Sequence, residues 1–199
     1  GRVRVPVSVD TYKAEVARIA LDHGAAIVND VSGLLYDPAL AAVAAERGAA
    51  LVLMHNRGRS RDMYQEAAYG DVGVEVTAEL GDRIDAAIEA GVARSRIIID
   101  PGLGFAKRAE HTYAALAALG RLALLDRPIL VGPSRKSFLG GDGDGGPDAR
   151  EWGTAAAVTA AVLDGAHIVR VHGVREMVQV VRVADRIRAA REAAPQTDE

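Results

Sequence analysis

The sequence predicts an α/β protein of the (β/α)₈ TIM-barrel type, and three observations support this fold class. Short apolar runs alternate with segments of helical periodicity six times along the 199 residues. The runs are rich in Val, Ile and Leu, which is typical of parallel strands buried on both faces. Each run also ends in polar residues, as expected when loops at the C-terminal mouth of a barrel build one site together.

An open, doubly wound sheet is the competing architecture for this alternating pattern. Such a sheet usually carries a glycine-rich phosphate-binding loop after its first strand, whereas the first apolar run here ends in the residues DTYKAE. The pattern therefore favours the barrel. Eight units and about 250 residues are typical of a complete barrel, so we expect the six units to form an incomplete barrel within one domain, residues 1–199.

The predicted strands all end at a polar tip, and they comprise residues 3–9, 25–28, 49–54, 96–100, 129–132 and 167–171. The predicted helices carry apolar residues at helical spacing, and they comprise residues 12–23, 38–47, 71–91, 112–119, 152–163 and 177–187. Polar, aperiodic stretches predict a mobile loop at residues 59–70, a flexible linker at residues 140–150 and a polar tail at residues 194–199. The acidic residues of the linker do not match a complete calcium-binding loop.

The composition argues against several classes of function. A net charge of -3, with acidic and basic residues interspersed, gives no broad basic face and argues against nucleic acid as a partner. The chain has no cysteine, so disulfides and thiolate metal sites are excluded. No signal peptide opens the sequence, and no apolar run approaches the roughly 20 residues that span a bilayer. We therefore expect no membrane partner and a cytoplasmic location.

Acidic and amide side chains end three of the predicted strands. Asp10, Asn29 and Asp100 offer two carboxylates and an amide, the groups that hold a flat heterocycle rich in N–H donors, such as an aminopyrimidinone. Asp30 could join them, but we expect its neighbour Asn29 to be the ligand. Strand-end Asp and Asn residues also cap helices, which is the alternative for each residue taken alone. The stretch that follows the third tip, DPGLGFAK, adds an aromatic ring and a lysine.

A second set of polar residues follows the fifth and sixth strands. It is cationic and hydroxylic, as required to bind phosphate or diphosphate, and it comprises Ser134, Arg135, Lys136, Ser137, Arg170 and His172. Arg170 and His172 lie two residues apart on one predicted strand, so we expect them to point the same way and to meet one anion. In the alternative, Arg170 pairs with a carboxylate of the barrel and His172 caps a helix.

Six motifs occur in an order and at spacings that resemble a known family. They span residues 5–174 and read SVDTYKAEVA, NDVSG, LMHNRG, DPGLGF, VGPSRKSFLG and VRVHGV. Taken together they are similar to the bacterial dihydropteroate synthases of the pterin-binding enzyme family. The resemblance implies a transferase of folate biosynthesis, the target of sulfonamides. Such an enzyme joins 6-hydroxymethyl-7,8-dihydropterin diphosphate to 4-aminobenzoate and releases diphosphate.

The resemblance also implies roles for individual residues. The pterin would contact Asp10, Asn29, Met54, Asp100, Phe105, Gly132 and Lys136. The aminobenzoate side would be lined by Phe105, Arg135, Lys136 and Ser137. Arg170 and His172 would bind the departing diphosphate and, together with Lys136, act in catalysis. The family forms homodimers through its last two helices, and the same partner is implied for this chain.

The sequence departs from the family pattern at its start. Its six units match family strands 3 to 8, so we expect a truncated form of the enzyme that is by itself inactive or weakly active, and at most a weak pterin binder. Magnesium is implied as a cofactor, but its ligand lies in the absent segment and is unknown here. Gly173 replaces a usual aspartate, and Pro133 replaces an often larger apolar residue.

Two other functions stay open at the level of sequence. One is a pterin-binding methyltransferase domain, which carries a methyl group from methyl-tetrahydrofolate to a corrinoid protein. That domain would not require the SRKSF cluster or the VRVH anion pair, so their presence argues against it. The other is a non-catalytic pterin-binding module. An enzyme should bind aminobenzoate only after the pterin diphosphate, or with diphosphate, whereas a mere binder need not.

Overall fold

The computed structural model describes residues 3–58, 65, 67–140 and 145–193. The strands in these ranges are β1 (Ser8–Asp10), β2 (Ile27–Asp30), β3 (Ala50–Met54), β4 (Ile97–Asp100), β5 (Leu130–Val131) and β6 (Ile168–Val169). The helices are α1 (Ala14–Asp22), α2 (Ala39–Glu46), α3 (Val72–Glu89), α4 (Ala109–Ala117), α5 (Glu151–Leu163) and α6 (Val174–Ala193). The predicted tail, residues 59–64 and 66 of the predicted loop, and residues 141–144 of the predicted linker lie outside the described residues.

All these strands are parallel and follow one another in chain order. The first four form one sheet in the order β1-β2-β3-β4, and β5 pairs with β6. A parallel bridge between Ile99 and Ile129 joins the two sheets. Strand and helix alternate along the chain, with the helices packed on the outer face of the strands. The architecture is therefore the partial barrel that the sequence predicts.

The register of the strands places the predicted polar tips on the inner face. Asp10 lies opposite Asn29, Asn29 lies opposite Val52, and Val52 lies opposite Ile98. Because opposite residues share a face and side chains alternate along a strand, Asp100 also points inward, two residues beyond Ile98. The residues between them point outward and form the core beneath the helices, including Leu51, Leu53, Ile97 and Ile99.

The first strand is shorter than predicted. Valines alternate through residues 3–9, but regular pairing covers Ser8–Asp10. The ladder begins at Val7, whose carbonyl oxygen accepts from the amides of Ala26 and Ile27, because β2 itself begins at Ile27. Pro6 has no N–H to donate to a ladder. The alternation at the start of the chain is therefore not matched by a paired strand.

The sixth unit also differs from the prediction. β6 ends at Val169, so Arg170 and His172 follow the strand instead of lying within it. α6 begins at Val174, three residues earlier than predicted, and Met177 N donates to Gly173 O in its first turn. The expectation that Arg170 and His172 point the same way depended on strand alternation, which does not extend to them.

Asp37 supports the first turns of two neighbouring helices. Its Oδ1 accepts from Ala39 N, the first residue of α2, at 3.2 Å. Its Oδ2 accepts from Ala14 N at 2.8 Å at the start of α1. One carboxylate thereby fixes both helices that follow the first two strand tips. No helix within the described ranges is long and apolar enough to cross a membrane.

Candidate active site

A cavity of about 510 Å³ opens inside the partial barrel and receives side chains from all the strands described above. Its polar lining residues are Ser8, Asp10, Asn29 and Arg170. Its apolar lining includes Val52, Ile98 and Leu130. This volume is within the range of small-molecule pockets. The structure thus brings three of the predicted site residues, from β1, β2 and the end of β6, into one cavity.

Asn29 lines this cavity and has an unused hydrogen-bond acceptor. Its Nδ2 donates to Asp10 Oδ1 at 2.8 Å, which fixes the orientation of the amide. Its Oδ1 is buried and accepts no hydrogen bond from the described residues. Leaving a buried acceptor without a partner costs about 1–3 kcal/mol. A ligand with an N–H donor at this position would remove that cost.

Asp30 has a different role from its neighbour. Its Oδ1 accepts from Ser32 N at 2.8 Å and from Ser32 Oγ at 2.7 Å, and its Oδ2 accepts from Leu34 N at 2.6 Å. The carboxylate therefore holds the turn after β2. This geometry agrees with the expectation that Asn29, and not Asp30, faces a ligand.

Arg170 and Asp10 form an ion pair across the open side of the barrel. Arg170 Nη2 donates to Asp10 Oδ2, and the two side chains are 57% and 47% exposed. The alternative in which Arg170 pairs with a barrel carboxylate is therefore the arrangement observed. Because an exposed pair contributes about 0–1 kcal/mol, either partner can be drawn away by a ligand at small cost.

Asp100 is buried at the tip of β4. Its Oδ1 accepts from Gly102 N at 2.7 Å. Burial raises the pKa of this carboxyl above its usual range, against the opposing effect of the nearby cations Lys136, Lys107 and Arg170. Burial thus outweighs the cations and favours the protonated form, and in either form the carboxyl oxygens can accept from N–H donors of a ligand.

Lys136 lies against the loop that follows Asp100. Its Nζ donates to Leu103 O and is 4.6 Å from the centre of the Phe105 ring, within the range of a cation–π contact. Burial lowers the pKa of Lys136, and the Asp100 carboxylate opposes this effect. The structure thus brings Asp100, Phe105 and Lys136 into one group.

His172 is bonded to the loop after β5. Ser134 Oγ and His172 Nδ1 are 2.8 Å apart, and His172 N donates to the same Oγ at 3.2 Å. This contact ties together the ends of β5 and β6. Both residues belong to the set that the sequence assigns to an anion.

The other predicted residues have the following environments. Arg135 pairs with Asp148 at 2.8 Å and with Glu151 at 3.2 Å. Ser137 begins a short 3₁₀ turn, in which Gly140 N donates to Ser137 O. Met54 is buried opposite Asp100 on the inner face. A Cβ added at Gly132 would lie an ordinary 3.8 Å from Arg170 Cβ, so protein atoms alone do not require a glycine there.

Behind the site lies a buried polar network that the sequence analysis does not predict. His55 contacts Lys107 Nζ through Nδ1 at 2.7 Å and Glu79 through Nε2 at 3.1 Å. Arg57 pairs with Glu79 and, at 2.6 Å, with Glu75. The signal available in the sequence is the spacing of the two glutamates, four residues apart on one face of α3.

Burial controls the charges in this network. It lowers the pKa of His55 to about 4, so the imidazole is neutral near pH 7. Burial also lowers the pKa of Lys107 to about 7. The pKa of Glu79 is lowered to about 2 because its hydrogen bonds to His55 and Arg57 outweigh its own burial. Glu79 is therefore ionised throughout the neutral range.

The described residues do not supply a magnesium site. Within the ranges given above, no group of three His, Asp or Glu side chains lies close enough to hold a metal ion. Asp10, the carboxylate beside Arg170, already contacts Asn29 and Arg170. The acidic groups of the described residues therefore do not fit the magnesium that the family resemblance implies.

The fold and the cavity together define a small-molecule-binding (β/α) barrel whose polar groups come from the C-terminal ends of the strands. The chain belongs to the pterin binding enzyme family, whose model matches residues 1–172. It is 47% identical to the dihydropteroate synthase of Synechocystis, over 91% of this chain and 63% of that protein. It is 49% identical to the dihydropteroate synthase of Mycobacterium leprae, over 90% of this chain and 66% of that protein.

Solved structures give the same result. The dihydropteroate synthase of Thermus thermophilus in complex with 6HMPPP matches with a TM-score of 0.86 and 42% identity, over 92% of this chain and 72% of that one. A second structure of the Thermus protein is a complex with 4-aminobenzoate. The chain spans a little under two thirds of the length of the Synechocystis and Mycobacterium leprae relatives.

Proposed function

We propose that this chain is the pterin-binding and catalytic portion of a dihydropteroate synthase. The reaction condenses 6-hydroxymethyl-7,8-dihydropterin diphosphate with 4-aminobenzoate to give 7,8-dihydropteroate and diphosphate. The observation that carries the proposal is the cavity lined by Asn29, Asp10 and Arg170, in which Asn29 also has a buried Oδ1 without a partner among the described residues. Family membership supports it, as do the complexes of the Thermus relative with 6HMPPP and with 4-aminobenzoate.

The pterin ring presents several N–H donors along one edge, and the site offers acceptors to match. We assign these donors to Asn29 Oδ1 and to the carboxylates of Asp10 and Asp100. Met54 and Phe105 would pack near the ring, Gly132 would leave room beside it, and Lys136 would donate a hydrogen bond to it. Supporting this assignment, the acidic and amide groups point to the same face of the sheet.

The diphosphate end of the substrate would meet Arg170 and His172. In the free chain Arg170 is paired with Asp10, so binding exchanges a carboxylate for a more highly charged anion. The reaction then breaks the bond between the pterin methylene carbon and the diphosphate oxygen, and both electrons leave with the diphosphate. Cations already near that oxygen stabilise the charge that develops on it.

The second step forms the bond to the arylamine. Carboxylates at the ring edge favour the positive charge that develops on the methylene carbon, the amine nitrogen attacks this carbon, and the amine then loses a proton. No side-chain nucleophile is required. Phe105, Arg135, Lys136 and Ser137 would line the aminobenzoate side. Arg135 would have to exchange its partner Asp148 or Glu151 for the substrate carboxylate.

A homodimer through α5 and α6 is part of the proposal. Trp152 at the start of α5 is 87% exposed, and Val174, Val183 and Ile187 of α6 are also exposed. Large apolar side chains in such positions are typical of an interface. A magnesium cofactor and a cytoplasmic location stay predictions from the sequence.

Isothermal titration calorimetry of the 199-residue chain tests the proposed function. We expect the chain to bind 6-hydroxymethyl-7,8-dihydropterin diphosphate weakly but measurably, and to bind 4-aminobenzoate only when the pterin compound or diphosphate is already present. The ordered pattern follows because the aminobenzoate side is built against the pterin and Phe105. A matched titration with Arg18→Met, a variant of an exposed arginine on α1, should give the same result.

Two results would contradict the proposal. If the chain does not bind the pterin compound, the proposed function is wrong. Binding of the pterin compound without any ordered binding of aminobenzoate would favour the non-catalytic module. The methyltransferase alternative is not favoured, because the relatives described above are dihydropteroate synthases.

A further inference from the structure

Lys107 is a buried lysine that the proposed mechanism does not use. Its side chain is among the largest fully buried ones in the described chain, and the residue is 2% exposed. Its Nζ contacts three acceptors, which are His55 Nδ1 at 2.7 Å, Gly102 O at 3.2 Å and Phe105 O at 3.1 Å. An ammonium group has three N–H donors. The three partners therefore satisfy the ammonium form, which predominates below the lowered pKa of about 7.

His55 is held in the form that accepts from Lys107. Its Nε2 is 3.1 Å from Glu79 Oε2, so this nitrogen carries the hydrogen and donates it to the carboxylate. Nδ1 is then an acceptor, because the buried imidazole is neutral near pH 7. Glu79 is in turn fixed by Arg57, which lies 4.0 Å from the centre of the Tyr69 ring. His55, which directly follows β3, thus binds the lysine, and Glu79 of α3 fixes His55.

The acceptors on the other side of Lys107 belong to the loop that carries Phe105. Lys107 binds the carbonyl oxygens of Gly102 and Phe105, while Lys136 binds the intervening carbonyl of Leu103. Phe105 N also donates to Gly102 O at 3.0 Å, which closes the turn. Two ammonium groups therefore hold this loop, and the Phe105 ring lies next to Lys136 as a result.

We propose that Lys107 is a positioning residue for the aminobenzoate side of the site. Its ammonium group fixes the carbonyls of Gly102 and Phe105 and so places the Phe105 ring against Lys136, without touching either substrate. This inference rests on the proposed function for its substrate, but the clamp on the loop is a property of the chain itself. Asp100 is joined to this loop through Gly102 N and lies near the Lys107 charge, whereas the other two proposed pterin acceptors, Asp10 and Asn29, bond to each other on β1 and β2.

The test compares Lys107→Met with the wild-type chain and with a control, Arg18→Met. The control also replaces a cationic side chain by methionine, but at an exposed position. Methionine keeps most of the buried volume but leaves His55 Nδ1 and the carbonyl oxygens of Gly102 and Phe105 without this donor, so we expect a loss of stability. Hydrogen exchange measured by mass spectrometry reports on the loop, and calorimetry reports on the two ligands. If Lys107→Met does not fold, Lys107→Gln, which retains two donors, replaces it with the same criteria.

We expect the amides of residues 102–107 to exchange at least tenfold faster in Lys107→Met, with β2 and β3 unchanged. Affinity for 4-aminobenzoate, measured in the presence of the pterin diphosphate, should fall at least tenfold, and affinity for the pterin diphosphate by a clearly smaller factor, because Asp10 and Asn29 are not held by this loop. Arg18→Met should match the wild type in all three measurements. This split between the two ligands would not arise from a general loss of stability.

Three outcomes would overturn the inference. Unchanged exchange in the loop would show that Lys107 does not hold it. Equal losses of affinity for both ligands would indicate a general structural role. A wild-type chain that binds neither compound would refute the proposed function, and Lys107 would then have no substrate side to position. This third outcome is measured on the wild-type chain, whereas the first two are measured on the variant.

Discussion

Asn29 is the residue on which the assignment of the pterin site depends most. Its amide nitrogen is occupied by Asp10, and its amide oxygen is buried without a partner in the described chain. An arrangement of this kind costs stability in the free protein. Because Asn29 lines the cavity, we infer that a ring N–H of the ligand supplies the missing hydrogen bond.

The variant Asn29→Leu tests this inference. It keeps the approximate shape of the side chain but removes the acceptor. Affinity for the pterin diphosphate should fall at least tenfold, since about 1.4 kcal/mol is a factor of ten and a lost hydrogen bond next to charged groups exceeds that. The free energy of unfolding should change by about 1 kcal/mol or less, because the unpaired oxygen is removed together with the Asp10 contact.

Asn56→Leu provides the matched control for Asn29→Leu. Asn56 is also buried, its Oδ1 also lacks a partner among the described residues, and its Nδ2 donates to Val31 O at 3.4 Å. It does not line the cavity. Pterin affinity should therefore survive in Asn56→Leu, and equal losses in the two variants would contradict the assignment of Asn29.

The polar residues of the site could be predicted individually, but their pairings could not. Asp10, Asn29 and Asp100 stand where apolar strands end, so the sequence indicates their common face. Arg170 and Asp10 are 160 residues apart in the chain, and nothing local to either residue predicts their ion pair. Lys107 and His55 are 52 residues apart in the chain and form a buried contact. Hydrophobic periodicity does not predict this contact, for the same reason.

At the scale of elements, the loop after β4 is the most constrained segment of the site. Gly102 has a φ of +66°, and a Cβ there would lie 2.0 Å from His55 O. The backbones of two strand tips therefore approach each other too closely for any side chain. This contact brings the loop onto His55 and Lys107, and it explains why the turn after Asp100 contains glycine.

Gly102→Ala should be strongly destabilising, and Gly48→Ala is its control. Gly48 has a φ of +60° with nothing within 4 Å of an added Cβ, so it isolates the cost of the left-handed conformation, about 1–2 kcal/mol. Gly102→Ala should lose at least about 2 kcal/mol more, because a backbone oxygen must move. Urea unfolding measures both values, and equal losses would contradict the close approach.

Element boundaries were less predictable than element order. The alternation of strand and helix follows from short, continuous apolar runs such as IIID and ALVLM, which are separated by segments of helical periodicity. The ends of β1 and β6 depend instead on where the partner strand begins and ends. Residues 3–7 alternate well enough to predict a strand, yet β2 provides its ladder only from Ile27 onward.

At the scale of the whole molecule, the partial barrel has an open side between β6 and β1. The Arg170–Asp10 ion pair crosses this side, and the cavity lies behind it. Binding of the proposed ligand must therefore break this ion pair. In the proposed reaction the carboxylate binds the ring and the guanidinium binds the diphosphate, whereas in the free chain the two groups are bound to each other.

The most direct test is a crystal structure of the chain with 6-hydroxymethyl-7,8-dihydropterin diphosphate. We predict that a ring N–H lies within hydrogen-bonding distance of Asn29 Oδ1, about 2.7–3.2 Å between heavy atoms. We also predict that the diphosphate contacts Arg170 and that the Arg170–Asp10 pair is broken. A ligand bound outside the cavity, or one that leaves Asn29 Oδ1 without a partner and Arg170 still on Asp10, would contradict the proposed function.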